Sequence, residues 1–102
     1  MINVASMTTF QLLVTLVMCH LVGDYVLQSN FIATTKGENW YHLFVHCALY
    51  TLPFLIVFGF TWHAITIFMI HLYVDPLKAR YNVISYPLDQ IIHYLTCLVY
   101  FI

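Results

Sequence analysis

Charged residues are scarce in this sequence. Asp, Glu, Lys and Arg make up 7% of the 102 residues, whereas soluble domains carry about 25%, so the chain cannot cover a water-facing surface with charge. Residues 39–74 contain none of these four residue types, and that stretch is long enough for two membrane crossings joined by a tight turn at Gly59 to Trp62. The scarcity predicts a single integral membrane domain over residues 1–102, with the lipid bilayer as its main partner.

Basic runs and paired cysteines are also lacking. With only three Lys and Arg residues and a net charge of −1, the chain has no basic patch for binding nucleic acid. Cys19, Cys47 and Cys97 show none of the paired spacings of a thiolate metal site, which predicts that they pack as small apolar residues. No basic segment precedes the first apolar stretch and it lacks a small-residue cleavage site, so we expect an uncleaved first span.

The apolar segments predict an all-α fold, namely a four-helix up-down-up-down transmembrane bundle. Pro53 is tolerable inside a membrane helix, and Pro87 suits a first helical turn. The third helix should stop before Pro76, because the residue ahead of a proline resists the helical conformation. The last two helices are short for a bilayer core that needs about 20 residues, which is compatible with a homo-oligomer. The expected helices span about residues 8–28, 40–58, 62–75 and 87–102.

What the sequence does contain is a set of ionisable residues spaced four apart. That spacing puts both members of a pair on one helical face, and burial among apolar residues is costly unless they meet each other, a metal or water. Because consecutive helices run in opposite directions, the first and third helices end on the side of the bundle where the second and fourth begin. The pairs at these helix ends therefore lie at the same depth. The spacing therefore predicts one polar pocket. The pairs are His20 with Asp24, His42 with His46, His71 with Asp75, and Asp89 with His93.

Imidazole and carboxylate groups on facing helices are typical of metal sites in four-helix bundles. Nitrogen and oxygen ligands without thiolate suit Zn, Mn or Fe and do not select among them. One or two divalent ions would offset the repulsion among the three aspartates of the pairs. His42 lies close to the start of its helix and is the least secure ligand, and His63, beside Trp62, is expected to be an interfacial anchor. The predicted ligands are His20, Asp24, His46, His71, Asp75, Asp89 and His93.

A divalent ion at this depth could support hydrolysis. Metal-bound water can lose a proton near neutral pH and attack a phosphoryl or acyl centre, with Asp24 and Asp75 as candidate catalytic groups. Lys78 is the first choice for steadying an anionic substrate at the edge of the pocket, ahead of Lys36 and Arg80. The sequence thus favours a metal-dependent hydrolase of a phosphoester or lipid-linked substrate.

Two glutamines accompany these residues. Gln28 continues the face of His20 and Asp24 and is expected to support a ligand carboxylate. Gln90 is expected to point away from the pocket and contact a loop.

Other classes of function stay open. Buried Asp and His groups also relay protons or bind permeating ions in transporters and channels. Alternatively, the polar centre could be purely structural in an accessory protein that binds another membrane protein.

The charged residues also predict an orientation. All of them lie on the side of the bundle where the pairs meet, and basic loops are retained in the cytoplasm. We therefore expect the loops 29–39 and 76–86 to be cytoplasmic and both termini to lie outside, in an inner (cytoplasmic) membrane.

Several motifs together resemble a family of small phage and bacterial membrane proteins catalogued as domain of unknown function 3307. The resemblance implies a helical membrane protein often found on phage genomes, but it carries no activity. The accessory protein of the second alternative would then be a phage protein that binds a host membrane protein in the host inner membrane. HLYVD alone is similar to the HxxxD helix motif of bacterial membrane-bound proteins described as metal-dependent hydrolases. The motifs are HLVGDYVLQ (20–28), Lys36, His46, HLYVDPLK (71–78) and DQIIH (89–93).

Overall fold

The computed structural model describes residues 2–102, and these contain helices without any strand. The predicted all-α class is confirmed. Short 3-10 turns lie at Val4–Ser6 and Leu98–Phe101, and a π-helical turn, Val22–Val26, directly continues the first helix. The α-helices are α1 (Thr9–Leu21), α2 (Asn30–Thr35), α3 (Trp40–Phe58), α4 (Trp62–Ala79) and α5 (Tyr86–Cys97).

The first helix differs from its prediction of one continuous helix over residues 8–28. It starts at a capping box, in which the Thr8 side chain accepts from the Gln11 amide and the Gln11 side chain accepts from the Thr8 amide. At Val22 the α-helical pattern gives way to the π turn, and the Leu27 amide donates to the Val22 carbonyl at 2.9 Å. Single π turns inside helices are frequent at functional sites.

Helix α2 lies in a segment that was expected to be a loop. The Ser29 side chain caps it by accepting from the Ile32 amide. The segment 29–39 folds back onto the bundle, where Thr35 contacts His42 of α3 and Lys36 contacts Asp75 of α4.

The predicted end of the third helix before Pro76 was wrong. Helix α4 continues to Ala79, and the amides of Arg80 and Tyr81 both donate to the Pro76 carbonyl at 2.9 Å. Val74, Asp75 and Pro76 are all buried, so packing against neighbouring helices offsets the missing proline donor. Helix α5 is likewise shorter than predicted, because a 3-10 turn replaces its last turn.

An apolar core fills one half of the molecule. The start of α1 contacts the end of α3 there, and the Ile2 amide donates to the Val57 carbonyl at 2.8 Å. Helices α1 and α3 therefore place the His20 end of one beside the His46 end of the other, in the half opposite to this core. The core consists of Leu12, Leu16, Cys19, Tyr50, Phe54, Phe58, Ile67, Cys97 and Tyr100.

Two helical segments are long and apolar enough to cross a membrane, Thr9–Val26 and Trp40–Phe58, with mean hydropathies of 1.4 and 1.6. Large apolar side chains also cover the outside of the molecule: Phe10, Val26 and Phe60 are 75%, 74% and 79% exposed. An apolar outer surface of this kind is expected where lipid, not water, is the solvent.

Candidate functional site

A buried polar cluster lies where the end of α1 and the end of α4 meet the starts of α3 and α5. It brings together every side chain that the sequence predicted as a metal ligand, and none of these residues is more than 6% exposed. The predicted convergence is thus observed, while the role of these groups as ligands stays a prediction. The polar cluster consists of His20, Asp24, Lys36, His46, His71, Asp75, Asp89 and His93.

Asp24 reaches the cluster from the π turn. Gly23, its neighbour, lies so close to α3 that a Cβ atom there would be 2.5 Å from the Tyr50 carbonyl oxygen. The Asp24 Oδ1 atom lies 3.5 Å from His46 Nε2.

Two groups of side chains could each hold a metal ion. In the first group, Asp24, His46 and His71 offer ligand atoms that all lie within 4.8 Å of one another. The second group, His71, Asp75 and His93, meets the same criterion. His71 belongs to both groups, and neither group includes a cysteine, as the sequence predicted. The His71 ring lies against the rings of Tyr50 and His93, with centroid distances of 4.0 and 4.1 Å.

The cluster contains buried polar atoms without hydrogen-bond partners. They are His46 Nδ1, His71 Nδ1 and Asp75 Oδ2. Buried polar atoms are usually paired, so an arrangement that leaves three cluster atoms unpaired is not complete as a hydrogen-bonded packing element. Nitrogen and carboxylate oxygen are suitable ligands for a divalent transition metal, and the donor set fits such an ion.

Lysines offset part of the negative charge of the cluster. Lys78 Nζ lies 3.4 Å from Asp89 Oδ2 and 3.9 Å from Asp75 Oδ1, and Lys36 Nζ lies 3.4 Å from Asp75 Oδ1. Asp89 also contacts His93 Nε2 at 3.1 Å. Two cations therefore lie beside three carboxylates, and because both ligand groups share His71, one divalent ion is favoured over two.

The burial of Lys36 was missed by sequence reasoning, which placed this side chain at the edge of the pocket. The residue is 5% exposed, and its Nζ donates to Gln28 Oε1 at 2.9 Å. Gln28 also donates to the Asp24 carbonyl at 3.3 Å, close to its expected supporting position. No local pattern places Lys36 in the cluster, because its position depends on the folding back of α2.

The prediction that Gln90 points away from the pocket was wrong. Its Nε2 donates to Asp24 Oδ2 at 2.8 Å, and its Oε1 lies 2.9 Å from His20 Nε2. Gln90 thus joins the two members of the first pair. Tyr50 was also missed, although it follows His46 by four positions; its hydroxyl lies 2.7 Å from His20 Nδ1.

Three residues that the sequence weighed for the site lie outside it. His42 Nδ1 lies 2.6 Å from Thr35 Oγ1, so His42 holds α2 against α3. His63 stacks on Trp62 in the other half of the molecule, with a centroid distance of 4.0 Å. Arg80 lies over the Trp40 ring at 4.4 Å, which leaves Lys78, with a side chain 20% exposed, as the cation at the open edge of the cluster.

Replacing Gln90 with leucine is expected to lower the free energy of unfolding by about 1–3 kcal/mol. The change leaves His20 Nε2 and Asp24 Oδ2 without their amide partner. Leaving a buried polar group without its hydrogen-bond partner lowers the free energy of unfolding by about 1–3 kcal/mol. Reversible unfolding in mixed detergent, followed by circular dichroism, measures the change. Gln11→Leu is the matched control, because Gln11 is exposed and makes only a capping contact; equal losses for both variants would contradict this role of Gln90.

Among known proteins, the chain matches a family defined by its sequence pattern. The family model, described as "Protein of unknown function (DUF3307)", matches residues 12–102, which confirms the resemblance seen in the motifs. No curated protein and no solved structure shows a significant match to the chain.

Proposed function

This chain belongs to the DUF3307 family of proteins of unknown function, and we propose that it is an integral membrane metalloprotein whose polar cluster binds one divalent cation. One observation carries the proposal. Asp24 from the π turn, His46 from α3 and His71 from α4 bring their ligand atoms within 4.8 Å of one another in a buried position. Simple packing of apolar helices does not require such a meeting of ionisable groups, which are costly to bury.

The membrane part of the proposal rests on the apolar outer surface and the two segments long enough to span. In this proposal α1 with its π turn, α3, α4 and α5 form the four elements of an up-down-up-down bundle. The polar cluster then lies near the cytoplasmic face of the inner membrane, and both termini lie outside. The basic residues Lys36, Lys78 and Arg80 all lie on the cluster side, which supports this orientation.

The first group of ligands favours a catalytic over a purely structural ion. Two histidines and one carboxylate leave a fourth position free for water in a tetrahedral zinc site, and the same donor set is used by non-haem Fe(II). A structural site is normally closed by four protein ligands. Asp75 and His93 of the second ligand group would then lie beside the ion.

We propose hydrolysis of a phosphoester or lipid-linked substrate as the reaction. A cation held by Asp24, His46 and His71 would supply an activated water for attack on phosphorus. A nearby base would take the proton of that water, and the leaving alkoxide would take up a proton as the ester bond breaks. Asp75 is suited to be the base because its Oδ2 has no partner. Lys78, at the open edge, is suited to hold the anionic oxygens of the substrate.

A transmembrane ion path is less well supported than a metal site. On its inner side the cluster ends at Tyr50, whose hydroxyl contacts His20 and Cys97. Beyond Tyr50 the bundle interior is filled by apolar side chains, including Leu16, Phe54 and Ile67. A proton relay or channel would need polar groups or water along that stretch.

The experiment uses one preparation with two readouts. Protein purified in detergent and stripped with chelator is titrated with Zn²⁺, Mn²⁺ or Fe²⁺, and hydrolysis of a chromogenic phosphodiester is then assayed. For the wild type, we expect one bound ion per chain and metal-dependent turnover. For Lys78→Gln, we expect the metal content to be unchanged and the turnover to fall by about tenfold or more.

His63→Gln is the control, because His63 stacks on Trp62 in the other half of the molecule, and it should leave turnover unchanged. Absence of a bound ion would contradict the metalloprotein. A bound ion without turnover would contradict only the hydrolase.

A further inference from the structure

We propose that Lys36 is an internal cation that competes with the divalent ion for the polar cluster, so that the ion binds only as Lys36 withdraws. This inference rests on the proposed metal site and adds a regulating residue to it. Lys36 Nζ lies 3.4 Å from Asp75 Oδ1 and supplies positive charge at the place where a bound ion would supply it.

The position of Lys36 is unusual for a lysine. It is 5% exposed, whereas lysines are almost never buried unless they are paired. It follows directly after α2, whose last residue is Thr35, and so enters the cluster from a segment that lies outside the long helices.

The contacts of Lys36 are with the same atoms that would bind a metal ion. Its Nζ lies 3.4 Å from His46 Nε2 in the first ligand group and 3.4 Å from Asp75 Oδ1 in the second. Its remaining donor goes to Gln28 Oε1 at 2.9 Å. The ammonium group therefore stands between the two groups of ligands and contacts one member of each.

An ammonium and a divalent ion cannot share these atoms. A metal bound to His46 Nε2 would use the lone pair of that nitrogen, which is the atom that Lys36 Nζ approaches to 3.4 Å. A metal bound there also repels the nearby ammonium strongly, because the cluster is shielded from water. The competition between the two cations is therefore for His46 Nε2.

The segment that carries Lys36 is docked on the end of α4. A Cβ atom at Gly37 would lie 2.3 Å from the Ala79 carbonyl oxygen, and Arg80 Nη1 donates to the Gly37 carbonyl at 3.2 Å. This docking holds Lys36 in the cluster. Because Lys36 is 5% exposed there, its withdrawal would expose the amine.

The first test measures amine reactivity in the wild-type protein. Metal-free and Zn²⁺-saturated samples are treated with a water-soluble acylating reagent, and modification is read by peptide mass spectrometry. We expect Lys36 to be protected without Zn²⁺ and to become reactive with it. Lys78, whose side chain is 20% exposed, is the internal control and should be modified in both states.

The second test measures Zn²⁺ affinity by competition with a chromophoric chelator. Lys36→Met should bind Zn²⁺ about tenfold or more tightly than the wild type, because the competing charge is gone. Lys36→Arg keeps the charge and should not gain affinity. If Lys36→Met does not fold, the reactivity test on the wild-type protein still shows whether Zn²⁺ displaces Lys36 from the cluster.

The outcomes separate the two proposals. Equal Zn²⁺ affinity in wild type and Lys36→Met, with Lys36 protected in both states, would overturn the competition and leave the metal site standing. Absence of Zn²⁺ binding in wild type and in Lys36→Met alike would overturn both. Binding by Lys36→Met alone would support the competition in its strongest form.

Discussion

His71→Ala is expected to abolish binding of a divalent cation. His71 is the one residue that both candidate ligand groups share, and its Nε2 lies 2.9 Å from His46 Nε2. Losing it leaves Asp24 with His46 in one group and Asp75 with His93 in the other, which are too few ligands for a stable site. We expect affinity to fall by at least about 100-fold, since even partners outside the ligand set are worth 10–100-fold. Competition with a chromophoric chelator measures the loss.

His42→Ala is the matched control for this change. His42 begins the same helix as His46 but bonds to Thr35 and lies against Phe31, with a ring distance of 4.9 Å. Its removal should leave cation affinity unchanged. If His71→Ala retained wild-type affinity, or if His42→Ala lost as much, the cation would be bound elsewhere.

Gly23→Ala is expected to destabilise the bundle strongly, although it adds only one methyl group. The new Cβ would lie 2.5 Å from the Tyr50 carbonyl oxygen and 2.9 Å from the Tyr50 Cα, and both are backbone atoms that cannot rotate away. The π turn and α3 must therefore separate, which moves Asp24 away from His46. Overpacking of this kind costs about 1–3 kcal/mol and occasionally more, and we expect the upper end of that range.

The measurement is the free energy of unfolding in mixed detergent, with cation affinity recorded on the same samples. Ala48→Val is the control, because it adds bulk to α3 at an exposed position. A Gly23→Ala protein as stable as the wild type would show that the close approach of the π turn to α3 is not a requirement of the fold.

The parts of the site that follow a helical spacing could be predicted from the sequence. His20 with Asp24 and His71 with Asp75 lie on single helix faces because four residues make about one turn. The low charge and the apolar segments also indicated an all-helical chain. Gly23 could be singled out because small residues permit close helix contacts in membranes.

The parts that depend on long-range packing could not be predicted. Lys36 reaches the cluster only because α2 folds back, and nothing in its neighbouring residues indicates that. Gln90 was assigned to a loop contact because it adjoins Asp89, yet the inner face of α5 is wide enough for both side chains. The residue before a proline disfavours the helical conformation. Pro76 nevertheless lies inside α4, because packing of the buried residues around it compensates for the N–H donor that proline lacks.

We propose that side chains from separate helices meet to bind one cation, and X-ray absorption at the zinc edge probes this shared site itself. We expect Zn²⁺-loaded protein to show nitrogen and oxygen neighbours at about 2.0–2.1 Å, with outer-shell scattering from imidazole rings that is lost in His71→Ala. A zinc ion surrounded by oxygen alone, with the same spectrum in wild type and His71→Ala, would contradict it.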